Sequence, residues 1–174
     1  SSWQPDEDLF IEYFNQHPEV KLVIAPHVID ENHLVEIIRK LKRPYVRYTR
    51  ADEKNVRKAD CLIIDCFGLL SSIYRYGEIA YIGGGFGVGI HNTLEAAVYG
   101  IPVIFGPKYQ KFQEAIQLLE AKGAFSVKDY EELKTLLDRM LTDEVFLRES
   151  GMNASNYVTG NAGATDKIMS MINF

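Results

Sequence analysis

The sequence has little of the features that mark several large protein classes. It contains two cysteines, Cys61 and Cys66, with four residues between them and no histidine nearby. Zinc sites normally need four closely spaced ligands, so the pair predicts buried thiols in a reducing compartment. No apolar run approaches the roughly 18 residues that span a bilayer, and no signal-peptide pattern opens the chain. We therefore expect a soluble domain without a metal site.

A surplus of positive charge is also missing. The net charge is −5, from 19 basic and 24 acidic residues, whereas general nucleic-acid binders carry a basic surface. We therefore expect no nucleic-acid partner. The exception is the segment 39–50, "RKLKRPYVRYTR", with six Lys or Arg. A solvated helix end followed by an edge strand is the favoured interpretation. Attraction to an anionic membrane, at about 1 kcal/mol per basic residue, is the alternative.

Two common nucleotide-binding fingerprints are absent as well. The Gly-x-Gly-x-x-Gly pattern of NAD sites fits no register of the chain's glycine-rich loop, and the P-loop pattern Gly-x-x-x-x-Gly-Lys-Ser/Thr does not occur. A dehydrogenase and a P-loop ATPase are therefore disfavoured. What the chain does contain is a concentration of glycine. Seven of its thirteen glycines fall within residues 81–107, and five of them within 83–89.

Apolar runs typical of strands alternate with helical patterns along the chain. The predicted strands are 21–26, 45–49, 61–65, 78–83 and 102–106. The predicted helices include 34–41, 70–74, 92–100, 112–119 and 133–140, followed by a helical tail, 143–173, with breaks at Gly151 and Gly160. Such alternation predicts parallel strands whose crossover helices cover both faces of the sheet. We predict one α/β domain, a Rossmann-like open parallel sheet with helices on both faces.

Ligands of such sheets bind beyond the carboxyl ends of the strands. Two loops lie at that edge in the predicted fold, "DCFG" at 65–68 and "GGGFGVGIHN" at 83–92. Glycine lets backbone N–H groups approach an anion closely, and a following helix start adds partial positive charge. A tight turn with positive φ would also need glycine, but five glycines in seven residues favour contact with a phosphate or sugar phosphate.

Three polar residues follow the glycines. Asn92 and Glu95 have the spacing of a capping box, in which their side chains satisfy N–H groups at a helix start. A carboxylate placed there could equally accept hydrogen bonds from ribose hydroxyls, and both interpretations stay open. His91 could donate to a phosphate or serve as a local hydrogen-bonding residue.

The run "GGGFGVGIHNTLEAAVYGIPVIFGPKYQKFQEA" resembles the donor-binding half of 3-deoxy-D-manno-octulosonic acid (Kdo) transferases. Those enzymes have Gly-Gly-Ser, then Gly-His-Asn-Pro-Leu-Glu, then a Gly-x-Pro-Val strand and Gly-Pro. Three other segments are similar to family motifs: "SSWQPDEDL" (1–9), "DCFGLLSSIY" (65–74) and "NAGAT" (161–165). The resemblance covers nearly the whole chain.

The resemblance implies one half of a two-domain glycosyltransferase of the GT-B type. Residues 1–174 would form its C-terminal donor-binding domain, and the enzyme would move Kdo from CMP-Kdo to a lipid A precursor in lipopolysaccharide biosynthesis. The acceptor site and the catalytic base would belong to a missing N-terminal domain, so this fragment would bind without turnover. The full protein would be peripheral to or anchored in the inner membrane, on its cytoplasmic side. No metal or other cofactor is implied.

Matched position by position, the resemblance implies a set of donor-binding residues: Gly68, Gly83, Gly84, His91, Asn92 and Glu95. Gly83 to Gly85 would leave room near the donor phosphate, with Gly85 standing where the family has serine. His27 stands where the family has an arginine after the first strand, and would supply part of the missing positive charge. Further departures from the family are Leu69 for glutamate, Thr93 for proline and Lys111 for asparagine. Fixed donors aimed at the leaving CMP would stabilise its negative charge.

Two other functions stay open. One is a different GT-B enzyme that uses a UDP-sugar, either a transferase or a relative of UDP-GlcNAc 2-epimerase. The other is a non-catalytic module that binds nucleotide sugars. Binding of CMP in preference to UMP or UDP separates the Kdo interpretation from the first, and an acceptor domain upstream of Ser1 separates an enzyme from the second.

Overall fold

The computed structural model describes residues 1–87 and 89–161. The helices of this part are α1 Gln4–Gln16, α2 Glu31–Lys40, α3 Glu53–Val56, α4 Leu70–Ile73, α5 Leu94–Ala97, α6 Gln113–Glu120, α7 Tyr130–Thr142 and α8 Glu144–Asn161. The strands are β1 Leu22–Ile24, β2 Tyr45–Arg47, β3 Cys61–Ile63, β4 Ala80–Ile82, β5 Val103–Phe105 and β6 Ala124–Ser126.

The strands form two parallel three-stranded sheets. Their orders are β1-β3-β2 and β4-β5-β6. Ser1 and Ser2 lie between the sheets: the Ser2 N–H donates to the Ala25 carbonyl (3.0 Å), and the Gly83 N–H donates to the Ser1 carbonyl (3.1 Å). The predicted parallel α/β class is confirmed, and β2 is an edge strand as predicted.

The second sheet is buried on both faces. Val103 and Phe105 of β5 pack into a cluster with buried residues of α5, α6 and α8. Ile104, between them, packs on the opposite face with Leu133 and Met140 of α7. Because successive strand side chains point to opposite faces, this alternation confirms that helices cover both sides of the sheet.

The first sheet packs against α1 and α2. Ile24 and Ile63 are buried there with Leu34 and Ile37, two residues of the apolar stripe that predicted α2. The helix begins at Glu31, three residues before the predicted start at 34, because the Asp30 side chain caps it by accepting a hydrogen bond from the backbone N–H of His33 (3.0 Å).

The prediction was wrong at two places after β5. It missed β6, a three-residue strand that pairs in parallel with β5. It also placed a break at Gly151 and another at Gly160, whereas α8 runs through both to Asn161. At Gly151 the glycine permits a close approach instead, because a Cβ there would lie 2.1 Å from the carbonyl oxygen of Gly100. The rest of the predicted tail and most of "NAGAT" lie outside the described residues.

Much of the charge in the segment 39–50 is used inside the domain. The guanidinium of Arg43 lies 4.0 Å from the ring centroid of Phe14 and donates to that residue's carbonyl. Lys40 pairs with Asp8 at 2.6 Å, and Arg47 makes two ion pairs described below. These contacts favour the structural interpretation of the segment over membrane attraction. Of the helices that the structure describes, none has the length and apolarity needed to span a membrane.

The two cysteines are both free thiols, but their environments differ. Cys61 lies in the central strand β3, where burial raises its pKa to about 12. Cys66 is only half-buried. The expectation of a buried pair is therefore right for Cys61 alone.

Candidate functional site

All the predicted site residues follow the carboxyl end of a parallel strand. His27 follows β1, Gly68 follows β3, and the residues from Gly83 to Glu95 follow β4. Ser1 and Ser2 hydrogen-bond to the ends of both β1 and β4. The topology therefore brings His27 next to the glycine-rich loop although Gly83 lies 56 positions further along the chain.

The start of the glycine-rich loop is tightly packed against the protein's own backbone. Gly84 has φ 95°, and its Cβ would lie 2.2 Å from the carbonyl oxygen of Gly89. A Cβ on Gly83 would meet Ser1 at 2.2 Å, and one on Gly85 would meet Gly106 at 2.6 Å. Loop packing alone thus requires these three glycines, and their contact with the sugar donor CMP-Kdo stays a prediction.

Asp6 holds the loop in this shape. It is buried in α1, and its Oδ2 accepts hydrogen bonds from the backbone N–H groups of Gly84 (2.9 Å) and Trp3 (3.0 Å). The Tyr81 hydroxyl donates to Oδ1 (3.3 Å). Because its N–H is directed at Asp6, Gly84 does not offer that group to a ligand. Asp6 was not among the predicted site residues, although it lies in the acidic stretch that resembles the family.

Three rings stack beside the loop. Trp3 lies on His27 with ring centroids 4.4 Å apart, and His27 lies on His91 at 4.9 Å. The Trp3 indole N–H also donates to Nε2 of His91 (3.1 Å). Since indole can only donate, His91 must accept at Nε2 and carry its proton on Nδ1. His91 therefore has an Nδ1–H available as a donor. Sequence reasoning missed Trp3 as a site residue.

The neutral form of His91 is favoured by its surroundings. Burial is the largest cause of a pKa below the ordinary value of 6.5, and the neighbouring His27 lowers it further. Protonation would also place an N–H at Nε2, opposite the indole N–H.

We expect NMR titration to give His91 a pKa below 6.5 and Trp3→Phe to raise it, because that variant removes the donor to Nε2. The sign follows from the depressed pKa: the neutral residue stabilises the fold fully above about pH 6.5, and this contribution is lost as pH falls toward the folded-state pKa. A His91 that titrates at or above 6.5 would contradict this protonation state.

Asn92 and Glu95 form part of the predicted cap. The Asn92 Oδ1 accepts from the Leu94 backbone N–H (3.0 Å), and its Nδ2 donates to Glu95 Oε1 (3.2 Å). Glu95 thus contacts the asparagine side chain, where a capping box would use the backbone N–H. Asn92 precedes α5 and Glu95 lies in its first turn, but α5 has only four residues, so its dipole is weaker than that of the predicted helix 92–100. Glu95 is half-buried, and its role toward ribose stays a prediction.

The loop after β3 presents a different arrangement. Gly68 has φ 86°, and no described atom lies within 4 Å of the position of an added Cβ. Open space therefore adjoins this residue. Asp65, three residues before Gly68, is buried, and its carboxylate is engaged within the domain. It accepts hydrogen bonds from Arg47 Nε (2.8 Å) and from the backbone N–H and hydroxyl of Thr49 (2.9 and 2.6 Å).

Arg47 does not replace the arginine that the family has after its first strand. Its guanidinium is divided between Asp65 and Glu31, each at 2.8 Å. Burial alone would raise the pKa of Asp65, but the hydrogen bonds of Thr49 and Arg47 lower it to about 2. The group is an ion-pair network that fixes the end of β2 to the end of β3.

Lys108 places a positive charge at the glycine-rich loop. Its backbone N–H donates to the Gly85 carbonyl (2.9 Å), and its exposed side chain reaches the Gly87 carbonyl (3.3 Å). Lys108 was not among the predicted site residues. The described residues contain no cluster of three or more His, Cys, Asp or Glu side chains suited to a metal ion.

Sequence comparison finds relatives that are much longer than this chain. No family model matches. A 3-deoxy-D-manno-octulosonic acid transferase of Aquifex aeolicus is 36% identical over 135 residues, which cover 76% of this chain and 37% of the relative. The enzyme of the same name from Rickettsia bellii is 32% identical over 116 residues, covering 65% and 28%. A bifunctional glycosyltransferase/methyltransferase of Fusobacterium nucleatum is 27% identical over 164 residues, covering 88% and 26%.

Solved structures share the fold. The C-terminal CMP-Kdo binding domain of WaaA from Acinetobacter baumannii superposes with a TM-score of 0.79 at 19% identity, covering 91% of this chain and 86% of that domain. The C-terminal domain of a group 1 glycosyl transferase (LpcC) from Francisella tularensis gives 0.60 at 17% identity, covering 91% and 78%. Taken with the sequence relatives, these matches show that the chain belongs to the 3-deoxy-D-manno-octulosonic acid transferase family.

Proposed function

We propose that this chain is the C-terminal donor-binding domain of a glycosyltransferase that moves Kdo from CMP-Kdo to a lipid A precursor. The observation that carries the proposal is the placement of His91, Asn92 and Glu95. These residues match the family motif, and they lie directly after the glycine-rich loop at the carboxyl end of β4, the edge where open α/β sheets bind ligands.

The donor's phosphate would bind beside His91 and the outer part of the loop. Neutral His91 has its Nδ1–H free of the Trp3 contact, and Lys108 adds a full positive charge. Gly87 is exposed, with no described atom within 4 Å of an added Cβ. As the bond to Kdo breaks, the leaving CMP gathers negative charge. Donors already fixed in position would stabilise that charge more than they stabilise the ground state.

The ribose would bind at Glu95. The carboxylate lies one residue into α5 and already accepts a hydrogen bond from the Asn92 amide at Oε1. A carboxylate has acceptor positions for several hydrogen bonds, so Glu95 can keep this contact and accept from a ribose hydroxyl as well. Structural and binding roles of Glu95 are therefore compatible.

Calorimetric titration of CMP into the Glu95→Ala variant tests this assignment. We expect binding to weaken at least roughly tenfold, because hydrogen bonds to a charged group contribute about 1.5 to 3 kcal/mol. The exposed Glu120, at the end of α6, gives the matched control Glu120→Ala, which should bind like wild type. A Glu95→Ala variant that has wild-type affinity but a lower Tm would limit Glu95 to its structural role.

The acceptor and the membrane belong to the part of the proposal that concerns the longer protein. We propose that residues outside this chain hold the lipid A precursor and the catalytic base, and that the protein works at the cytoplasmic face of the inner membrane. The length of the relatives supports this, since the chain spans 37% of the Aquifex aeolicus enzyme.

Because Lys40, Arg43 and Arg47 are paired within the domain, we expect this chain alone to bind anionic vesicles weakly. The longer protein should sediment with the same vesicles. Tight sedimentation of this chain, lost on Lys42→Glu, would instead assign membrane attraction to the segment 39–50.

A further inference from the structure

Two histidines lie against each other beside the glycine-rich loop, and they differ in their hydrogen bonds. Of the four histidines in the chain, His17, His33 and His91 each use a ring nitrogen in a hydrogen bond to another described residue, whereas His27 does not. His27 is also exposed. Within the described part of the chain, its ring nitrogens are therefore left for solvent or a ligand at the carboxyl end of β1.

His27 lies over the junction of Trp3 and His91. Its ring centroid is 4.4 Å from that of Trp3 and 4.9 Å from that of His91, at interplanar angles of 27° and 19°. Trp3 and His91 are themselves joined edge to edge by the 3.1 Å hydrogen bond from the indole N–H to Nε2. Rings on opposite faces of His27 would be too far apart for that hydrogen bond, so both partners share one face of His27.

This arrangement separates the protonation states of the two histidines. His91 is held neutral because its Nε2 accepts the indole N–H and because burial lowers its pKa. A proton added to the pair is better placed on His27, since a cation within about 6 Å of an indole face is attracted by the ring. The buried carboxylate of Asp6 adds a negative field beside the stack. Protonation of both rings would place two like charges in contact.

We propose that binding of a phosphodiester anion, the class to which the phosphate of CMP-Kdo belongs, takes up a proton from solvent onto His27 while His91 stays neutral. The inference rests on the proposed donor site. An anion that accepts the Nδ1–H of His91 lies close to the ring stacked on it, and an opposite charge within about 4 to 6 Å favours the charged form of a titratable group.

Protonation and anion binding then strengthen each other by the same factor. Donor affinity therefore falls as pH rises through the range in which a histidine loses its proton, between about pH 5 and 8.

Other charged groups lie around the stack and the loop. They come from α1, α2, α5, the loop after β5 and the first residue: Asp6, Glu7, His33, Glu95, Lys108 and the amino group of Ser1. The Ser1 amino group matters most, because burial lowers its pKa below the ordinary value of 8.0. All these groups remain in a His27→Arg variant, whose guanidinium keeps its positive charge at every pH used.

Calorimetric titration with the methyl phosphodiester of cytidine tests the inference. Unlike CMP, whose second phosphate ionisation lies near about pH 6, this ester keeps a constant charge at neutral pH, as CMP-Kdo does. Titrations of the 174-residue chain in two buffers of different ionisation enthalpy measure the protons taken up on binding. We expect uptake of a sizeable fraction of a proton near neutral pH, and an affinity that falls at least roughly fivefold from about pH 6 to 8.

His27→Arg should bind the ester without proton uptake and with nearly the same affinity across this interval, because arginine stays charged. His17→Gln is the matched control. His17 lies at the opposite end of α1 from Trp3, stacked on Tyr13, so this variant should keep the wild-type pH dependence. Proton uptake that persists in His27→Arg would assign the proton to another group and overturn the inference.

Nitrogen NMR of the wild-type complex gives a second readout. At neutral pH we expect His27 to show the charged form and His91 the neutral form with its proton on Nδ1. A neutral His27 or a charged His91 would overturn the inference. Ester binding with an affinity independent of pH would overturn the inference alone and leave the proposed donor site standing. Absence of binding by every cytidine ligand at every pH would overturn both.

Discussion

Gly84→Ala should destabilise the domain by several kcal/mol, whereas Gly87→Ala, three residues along the same loop, should change its stability by less than about 0.5 kcal/mol. At Gly84 the backbone has φ 95°, and an added Cβ would lie 2.2 Å from the Gly89 carbonyl oxygen. The left-handed conformation alone costs a non-glycine residue about 1 to 2 kcal/mol. Relief of the overlap would also pull the Gly84 N–H away from buried Asp6, leaving a carboxylate oxygen with one fewer donor.

Gly87 is the matched control because it lies in the same loop without these constraints. No described atom is within 4 Å of its added Cβ. Urea unfolding of both variants measures the difference directly. If the donor phosphate binds at this outer part of the loop, Gly87→Ala should also weaken CMP binding while the free energy of unfolding stays constant. Similar stability of the two variants would contradict the account of how the loop is held.

Asp65→Ala should cost about 3 kcal/mol or more, because it leaves the guanidinium of Arg47 half-buried without its main partner. Asp65 is buried and accepts three hydrogen bonds, from Arg47 and Thr49. Glu31→Ala removes the other partner of Arg47, but the Glu31 side chain is 65% exposed, so the loss should stay below about 1 kcal/mol. Urea unfolding of the two variants compares how much each carboxylate partner of Arg47 contributes to the free energy of unfolding.

The pH dependence of the same network has a definite sign. Because the pKa of Asp65 is lowered to about 2 in the folded state, its ionised form stabilises the fold above the ordinary carboxyl range, and this stabilisation is lost as pH falls from about 4 toward 2. The Asp65→Asn variant should lose less stability in that interval than wild type. A wild-type loss equal to that of Asp65→Asn would contradict an ionised, hydrogen-bonded Asp65.

The fold class could be predicted because it depends on local patterns. The stripe of Leu34 and Ile37 indicated α2, and the apolar run ending at Phe105 indicated β5. Strand β6 was missed because its three residues, Ala124–Ser126, form no run long enough to separate from the surrounding helices. Gly151 was misinterpreted as a helix break. A glycine is needed there because the helix packs closely against Gly100, and no local sequence pattern records that tertiary contact.

In the candidate site too, residues close in sequence could be predicted and long-range contacts could not. His91, Asn92 and Glu95 are close in sequence, so motif spacing found them together. The contacts that fix them are long-range: the Trp3 indole reaches His91 across 88 residues, and Asp6 reaches Gly84 across 78. Nothing in the spacing of the N-terminal residues indicates either contact. The resemblance of "SSWQPDEDL" to a family motif was the available signal, but it was not used to predict that this stretch lies at the site.

The comparisons also bear on the alternatives that the sequence left open. Relatives at 36% and 32% identity are named as Kdo transferases, and they do not favour a UDP-sugar enzyme or a non-catalytic module. Nucleotide preference is therefore the property that separates these functions in solution.

The most direct test of the central claim is calorimetric titration of the 174-residue chain with CMP, UMP and UDP under identical conditions. The proposed donor site predicts that CMP binds at least roughly tenfold more tightly than either uridine nucleotide, a difference of about 1.4 kcal/mol. UMP or UDP binding as tightly as CMP, or more tightly, would contradict a domain built for CMP-Kdo.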